Sequence, residues 1–373
     1  MRIGVDYTAA VRQKAGIGRY VRELFKHVGK IDQRNFYLLL VPRDATLHPI
    51  PPNFRYLRLP LSERLVYIFW QRLRIPIPAE AFTGRLALFH SPDFVLPPLA
   101  LTPSILTIHD LSFLRLPECF TPNLLNYLSK AVPRSIKRAN LILADSGNTR
   151  KDLLELMGLP PEKVEVLYAG VGENFKPSDG EKARTRYGLP RRFILSLGTL
   201  EPRKNFARLV RAFATVKSNL KLGNDLKLVI AGRMGWLYNG VFRAVEECGL
   251  EGDVIFPGYV EEEDLPSLYS AAELFVYPSL YEGFGLPPLE AMACGVPVVA
   301  SEAPPLPEIL GDAALFFSPY DEEGMASAIE RALLDDGLRR KLREKGFARS
   351  SLFSWDKSAR KLLEIYQRLG ENP

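Results

Sequence analysis

Residues 277–301 run YPSLYEGFGLPPLEAMACGVPVVAS. The apolar run LFVY, at 274–277, leads into a glycine-rich turn carrying Glu282, Gly283, Phe284 and Gly285. Paired prolines, Pro287 and Pro288, then open a segment of helix formers, and a second apolar run, 296–300, follows Gly295. Proline suits a first helical turn because the N–H it lacks has no intrahelical partner there. Strand, loop, helix and strand in this order form a βαβ unit, whose two strands run parallel.

Outward from this unit the same alternation repeats. Apolar β-rich runs fall at 3–6, 36–41, 86–90, 105–109 and 141–144, and again at 193–197, 226–231, 254–256, 274–277, 296–300 and 314–317, with amphipathic segments between them. The pattern predicts two Rossmann-like α/β domains. The polar stretch KPSDGEKARTRYGLP, broken by Pro177, Gly180 and Pro190, marks a boundary near residue 180. In the last segment Ala359, Leu362, Leu363 and Tyr366 recur at helical spacing. Domains are thus expected at 1–180 and 181–353, with a terminal helix over 354–373.

Composition narrows the class. With 373 residues, 47% hydrophobic and 25% charged, the chain reads as a soluble two-domain protein. Three scattered cysteines suit neither a disulfide framework nor a metal site, so a reducing, cytoplasmic compartment is expected. No stretch is long enough to span a bilayer, and MRIGVDY lacks the apolar core of a signal peptide. The net charge of +6 is uneven. Through residue 177 there are 24 Lys and Arg against 15 Asp and Glu, a balance of +9, leaving 25 against 28, or −3. That asymmetry fits either an anionic partner of the first half, such as a phospholipid surface or a diphosphate-linked molecule, or a merely solvated basic face. Nucleic acid is not expected.

Ligand sites in open α/β sheets lie where strand carboxyl ends open into loops. After FILSLG, which ends at Gly198, the loop TLEPRKN sets Arg203 and Lys204 beside the start of a helix. Two cations and a helix start suit a nucleotide diphosphate, although an ordinary surface loop would read the same way. Glu282 and Glu290, eight positions apart, are acceptors suited to sugar and ribose hydroxyls; generic capping and solvated acids are the alternative. Glycine amides from Gly283 to Leu286 would meet a ligand without side chains in the way. Gly16 and Gly18 allow close backbone approach after the first strand, or simply a tight turn. His109 and Asp110 end the strand SILTIHD, where a histidine is a candidate for chemistry.

The 277–301 stretch resembles the E-x7-E signature of retaining glycosyltransferases with the GT-B fold, in the large family 4 that holds bacterial mannosyltransferases and sucrose synthase. SLGTLEPRKN, FPGYVEEEDLPSLYSAAELFVYPSLYEGFGLPPLEAMACGVPVV, FSWDKSARKLLEIY, KAGIGRY, FHSPDFVLPPL and TIHDLSFLRLPE extend the likeness over nearly the whole chain, nearest to O-antigen and capsule mannosyltransferases. The resemblance implies two Rossmann-like domains facing a cleft, with the last helix crossing back to the first. It implies transfer of a sugar, mannose from GDP-mannose, to a saccharide or lipid-linked acceptor in polysaccharide or O-antigen biosynthesis, without metal or other cofactor. UDP- or ADP-sugar donors, or a GT-B phosphorylase or epimerase, are the alternatives.

By the same resemblance Glu282 touches the transferred sugar and Glu290 the ribose. Arg203 and Lys204 hold the diphosphate, Gly258 to Val260, with Tyr259, line the base, and His109 hydrogen-bonds the sugar. Gly16, Gly18, Gly198, Gly283, Phe284, Gly285 and Leu286 complete the donor set, and Asp110, Lys130 and Arg134 are the acceptor candidates. Relatives carry a Ser-Glu pair where this chain has Asp145-Ser146-Gly147, which puts the acceptor-side loop in question. Two stretches that mix cations with bulky apolar residues, 123–140 and LSERLVYIFWQRLRIPIP at 61–78, suit either a peripheral membrane contact or packing on the core. A nicotinamide-dependent oxidoreductase would need a phosphate fingerprint with an acid about 20 positions on, which is missing. Asp335-Asp336 sits in a charged helical stretch rather than after a strand.

Overall fold

A computed structural model of the chain describes residues 1–14, 16–73, 75–220 and 225–371, leaving aside the side chains of Tyr67 and Glu371. Ala15 of KAGIGRY and Arg74 of the 61–78 stretch lie outside the described residues. The chain divides into two units. The first comprises Met1–Leu111, Asn126–Gly170 and Ser354–Pro373, and the second Ser112–Leu125 and Val171–Phe353.

Strands of the first unit are β1 (Arg2–Asp6), β2 (Phe36–Val41), β3 (Phe54–Arg58), β4 (Leu88–Ser91), β5 (Ser104–Ile108), β6 (Leu141–Ala144) and β7 (Val164–Val166). Those of the second are β8 (Arg192–Leu197), β9 (Leu226–Ala231), β10 (Val254–Gly258), β11 (Leu274–Tyr277), β12 (Val298–Ser301) and β13 (Ala314–Phe317). All pairings are parallel, in the orders β3-β2-β1-β4-β5-β6-β7 and β10-β9-β8-β11-β12-β13. Central strands such as β4, β5, β6 and β11 are buried at every residue, which is why they read as unbroken apolar runs. Each order reverses once, between β1 and β4 and between β8 and β11, and ligand crevices open beyond the carboxyl ends at such reversals.

All eleven expected strands lie within two residues of an observed strand at both ends, but β3 and β7 were not anticipated. Both are edge strands, with charge in their short sequences FRYLR and VEV, so neither offers an apolar run. The largest differences include β10, which runs two residues beyond the expected 254–256, and β12, which begins two residues after the expected start at 296.

The units part at Gly170/Val171, ten residues before the expected boundary. The polar stretch already belongs to the second unit. Ser178 N–H and Ala183 N–H donate to the hydroxyls of Ser270 and Ser267, at 3.1 and 3.0 Å, and the Arg184 guanidinium reaches the Ala271 carbonyl at 3.0 Å. Residues 112–125 also fall in the second unit, where Trp236 Nε1–H donates to the Cys119 carbonyl at 2.7 Å.

The last helix, Trp355–Glu371, is part of the first unit. Ala359, Leu362, Ile365 and Tyr366 bury its inner face, whereas Leu363 is only half-buried. It packs along the helix Ile17–Ile31, to which His27 Nδ1 ties Asp356 at 2.6 Å. The Tyr366 hydroxyl meets His90 Nδ1 at 2.7 Å, and His90 Nε2 meets Thr107 Oγ1 at 2.9 Å. No described helix is long and apolar enough to cross a membrane.

Candidate functional site

In the second unit the reversal between β8 and β11 gathers a compact charged cluster. The chain leaves β8 through Gly198 and turns at Pro202–Lys204; Asn205, at φ 60°, redirects it into the helix Phe206–Leu220. The Lys204 stem crosses Gly198, whose missing Cβ would lie 3.3 Å from it. Lys204 Nζ donates to the Tyr277 hydroxyl at 2.9 Å and to Glu282 Oε1 at 2.6 Å. Arg203 donates to the Tyr281 carbonyl (2.7 Å), Glu282 Oε2 (3.0 Å) and Glu201 Oε1 (2.7 Å). Lys204 and Glu282 are only 8% and 6% exposed. Burial alone would raise the Glu282 carboxyl, but the Lys204 and Arg203 charges outweigh it and hold the group down at about 2. The cluster is two cations against two carboxylates. A phosphate oxygen arriving here meets charged donors already oriented by Glu201, Glu282 and Tyr277, so little reorganisation is needed to bind it.

The turn after Glu282 needs its glycine. Gly285 sits at φ 101°, and a Cβ there would lie 2.7 Å from Leu306. The helix Leu286–Ala293 starts directly after it, but Pro287 and Pro288 leave only Leu286 and Leu289 with an N–H in its first four residues. Glycine amides, more than a helix start, are what this turn can offer. Phe284 packs edge-on against Phe353, with centroids 5.6 Å apart. Glu290 is 1% exposed and accepts from the Tyr269 hydroxyl at 3.0 Å. Tyr259 carries the Arg233 guanidinium over its ring at 4.5 Å, and Val260 is buried. An open concavity of about 1410 Å³, lined by Arg184, Arg192, Glu273 and Arg339, contains none of these residues.

The first unit has its own cluster at the carboxyl ends of β4, β5 and β6. His109 Nδ1 faces Asp145 Oδ2 at 2.7 Å, and Nε2 faces the Pro92 carbonyl at 3.1 Å. Tyr20 and Phe94 stand edge-on to the imidazole at 5.0 and 5.6 Å. Burial would depress the imidazole, but the Asp145 charge and hydrogen bond, then Asp93 and the Pro92 carbonyl, push it up to about 9. Asp110 is half-buried, Lys130 exposed and Arg134 half-buried. Arg138, from the same basic stripe, is spent on the carbonyls of Leu96 and Pro97. Gly18 serves the fold: a Cβ there would lie 2.0 Å from the Gln13 carbonyl and 2.7 Å from that of Ala9. Arg22 fastens the same loop through the carbonyls of Ala10, Gln13 and Lys14.

The structure therefore brings Arg203, Lys204 and Glu282 into one hydrogen-bonded set and joins Glu290 to Tyr269. Sequence reasoning missed Glu201, Tyr269, Tyr277, Tyr20 and Asp145 as partners. Asp145 could have been found by the rule that located His109, because both directly follow adjacent parallel strands. Among the described residues no group of three or more His, Cys, Asp or Glu could hold a metal ion.

Two family models match consecutive parts of the chain: "Glycosyltransferase Family 4" over residues 15–174 and "Glycosyl transferases group 1" over 179–349. The chain is similar to O-antigen chain mannosyltransferase B of Escherichia coli, 35% identical over 286 residues, covering 76% of this chain and 74% of that protein. A serotype-specific mannosyltransferase of Escherichia coli is 34% identical over 249 residues, 65% of this chain, which spans only 30% of that longer protein. Among solved structures, sucrose-phosphate synthase from Thermosynechococcus elongatus superposes with a TM-score of 0.81 at 22% identity, covering 100% of both chains, and so shares the fold. With its two parallel α/β sheets and these matches, the chain belongs to family 4 of the GT-B glycosyltransferases.

Proposed function

We propose that the chain is a retaining, metal-independent mannosyltransferase that uses GDP-mannose and extends a saccharide or lipid-linked saccharide in O-antigen or related polysaccharide biosynthesis. The carrying observation is the buried set of Arg203, Lys204 and Glu282 at the β8/β11 reversal, in a chain 35% identical to an O-antigen chain mannosyltransferase. Arg203 and Lys204 grip the diphosphate and neutralise the charge that grows on it as the glycosidic bond breaks. Glu282 keeps both cations oriented and accepts from a sugar hydroxyl, and Glu290 accepts from the ribose. Gly283, Phe284, Gly285 and Leu286 present backbone to the donor, with Tyr259 and Val260 beside the base and Gly198 under the Lys204 stem. Gly16 and His109 serve the transferred sugar, and Asp110, Lys130 and Arg134 the acceptor. The acceptor hydroxyl attacks on the face from which the diphosphate departs and passes its proton to the departing phosphate, so no protein base is required.

The exposed apolar residues Leu65, Leu73 and Ile77, near Arg64 and Arg72, suit peripheral contact with an anionic membrane at the cytoplasmic face. The test is transfer to a lipid-linked acceptor from a panel of GDP-, UDP- and ADP-sugars with EDTA present. GDP-mannose should be the preferred donor and the anomeric configuration should be kept. A strict requirement for Mg²⁺, or preference for a UDP- or ADP-sugar, would replace this reading with the corresponding metal-dependent or alternative-donor transferase.

A further inference from the structure

Of the groups at strand ends, Asp145 is the one whose burial the fold alone does not explain. It is 6% exposed, and it spends Oδ2 on His109 while Oδ1 is buried without a hydrogen bond among the described residues. Leaving a carboxylate oxygen orphaned in this way is costly. The neighbouring Tyr20 hydroxyl is also buried and has no hydrogen bond among the described residues. The Pro92 carbonyl can only accept, so Nε2 of His109 must carry a proton, and a second proton lies between Nδ1 and Oδ2. Thr149 Oγ1–H donates to the His109 carbonyl at 3.2 Å, and Ser146 caps the helix Gly147–Met157 through the Thr149 N–H at 3.1 Å. The loop that bears Asp145 is thereby pinned to the strand end that bears His109.

We propose that Asp145 is a positioning residue that holds the His109 imidazole as a charged double donor, so that His109 serves the transferred sugar as a fixed cation and never as a base. The proposal rests on the reading above, in which His109 takes part in transfer. Other titratable groups facing the imidazole are Asp93 beyond β4, His90 within β4, Tyr20 on the helix Ile17–Ile31, and Asp110, which follows it and faces Asp145. Asp145 and Asp93 favour the charge, that charge helps push His90 down, and Tyr20 presents the edge of its ring.

The experiment uses the full chain labelled with ¹⁵N-histidine, which has four histidines to assign. In the unaltered protein the His109 ring nitrogens should both stay protonated through pH 8 and titrate near pH 9. In Asp145→Asn the midpoint should fall by about two pH units, as expected when a paired carboxylate is lost. Transfer by that variant should then drop about tenfold at pH 8 yet recover toward pH 6, whereas Asp145→Glu should restore much of both. Equal melting temperatures would show that all three fold alike; if Asp145→Asn does not fold, the titration of the unaltered protein decides by itself. A His109 ring that titrates near pH 6.5 in the unaltered protein, or a titration and pH–rate profile that Asp145→Asn leaves unchanged, would overturn the proposal. Failure to transfer any sugar, with the titration as expected, would instead overturn the functional reading and leave the His109–Asp145 couple standing.

Discussion

The two strand-end clusters solve one electrostatic problem with different chemistry. In the second unit Arg203 and Lys204 are balanced by Glu201 and Glu282, and the two cations hold the Glu282 carboxyl down at about 2. In the first unit a histidine is balanced by Asp145, and this couple titrates within reach of an ordinary buffer. A cluster whose central carboxylate is held ionised by two cations suits an anionic ligand such as a diphosphate. The imidazole couple can report on its surroundings, and pH therefore separates the two.

The sharpest break is Lys204→Ala. It removes one of the two cations that the proposed mechanism sets against the departing phosphate, and the transfer rate should fall about 10²–10³-fold, the scale seen when one preorganised charge-stabilising donor is lost. Rates measured across pH 6–8 should show the same fold-loss at every pH, because Glu282, held down at about 2, does not titrate there. A loss that varied with pH would make the second cluster no different from the first.

Next in size is the pH dependence of stability, read from urea midpoints. His109 is raised in the fold, so its contribution is full below pH 6.5 and is lost as pH climbs through about 9. His90 is the mirror case. Burial, then the charge of His109, push it down to about 3, so the fold loses stability as pH falls from 6.5 toward 3. His109→Gln should flatten the alkaline arm by about 3 kcal/mol and make the acid arm only slightly shallower, because burial is the larger cause of the His90 depression. An alkaline arm that survives the substitution would show that His109 carries no linked proton.

The finest test is Tyr277→Phe. The hydroxyl accepts one hydrogen bond from Lys204 at the floor of the second cluster, and the ring is 1% exposed. Loss of that acceptor should cost about 1 kcal/mol of stability and a few-fold in rate, because Glu282 still holds the ammonium. A loss as large as that of Lys204→Ala would mean that Tyr277, and not Glu282, orients the cation.

Much of this architecture could be read from residues alone because parallel strands buried on both faces write themselves as apolar runs, as LILA at 141–144 and LFVY at 274–277 do. Short strands broken by charge do not, and FRYLR and VEV were invisible for that reason, whereas the uncharged edge strand ALFF at 314–317 was legible. Arg203, Lys204 and Glu282 were legible because cations and acids stood at the ends of readable strands. Their mutual pairing was not, since Lys204 and Glu282 are 78 positions apart and only the β8/β11 adjacency joins them. Tyr269 and Glu290 lie on two separate helices whose packing leaves no local pattern. Gly18 shows the opposite limit: its position suggested a ligand, and the carbonyls of Gln13 and Ala9 are by themselves reason enough for a glycine there.

The terminal helix also sets an order of assembly. Its Tyr366 completes the hydrogen bonding of His90 in the middle of the first sheet, and Trp355 stacks edge-on against Tyr20 at 5.5 Å. During synthesis on the ribosome, residues 1–170 therefore emerge without the segment that closes their core, while 171–353 emerge with all of theirs except 112–125, which precede them. The half of the polypeptide translated first is the last to finish folding, and a premature stop codon anywhere before Trp355 would injure the beginning of the protein as much as its end.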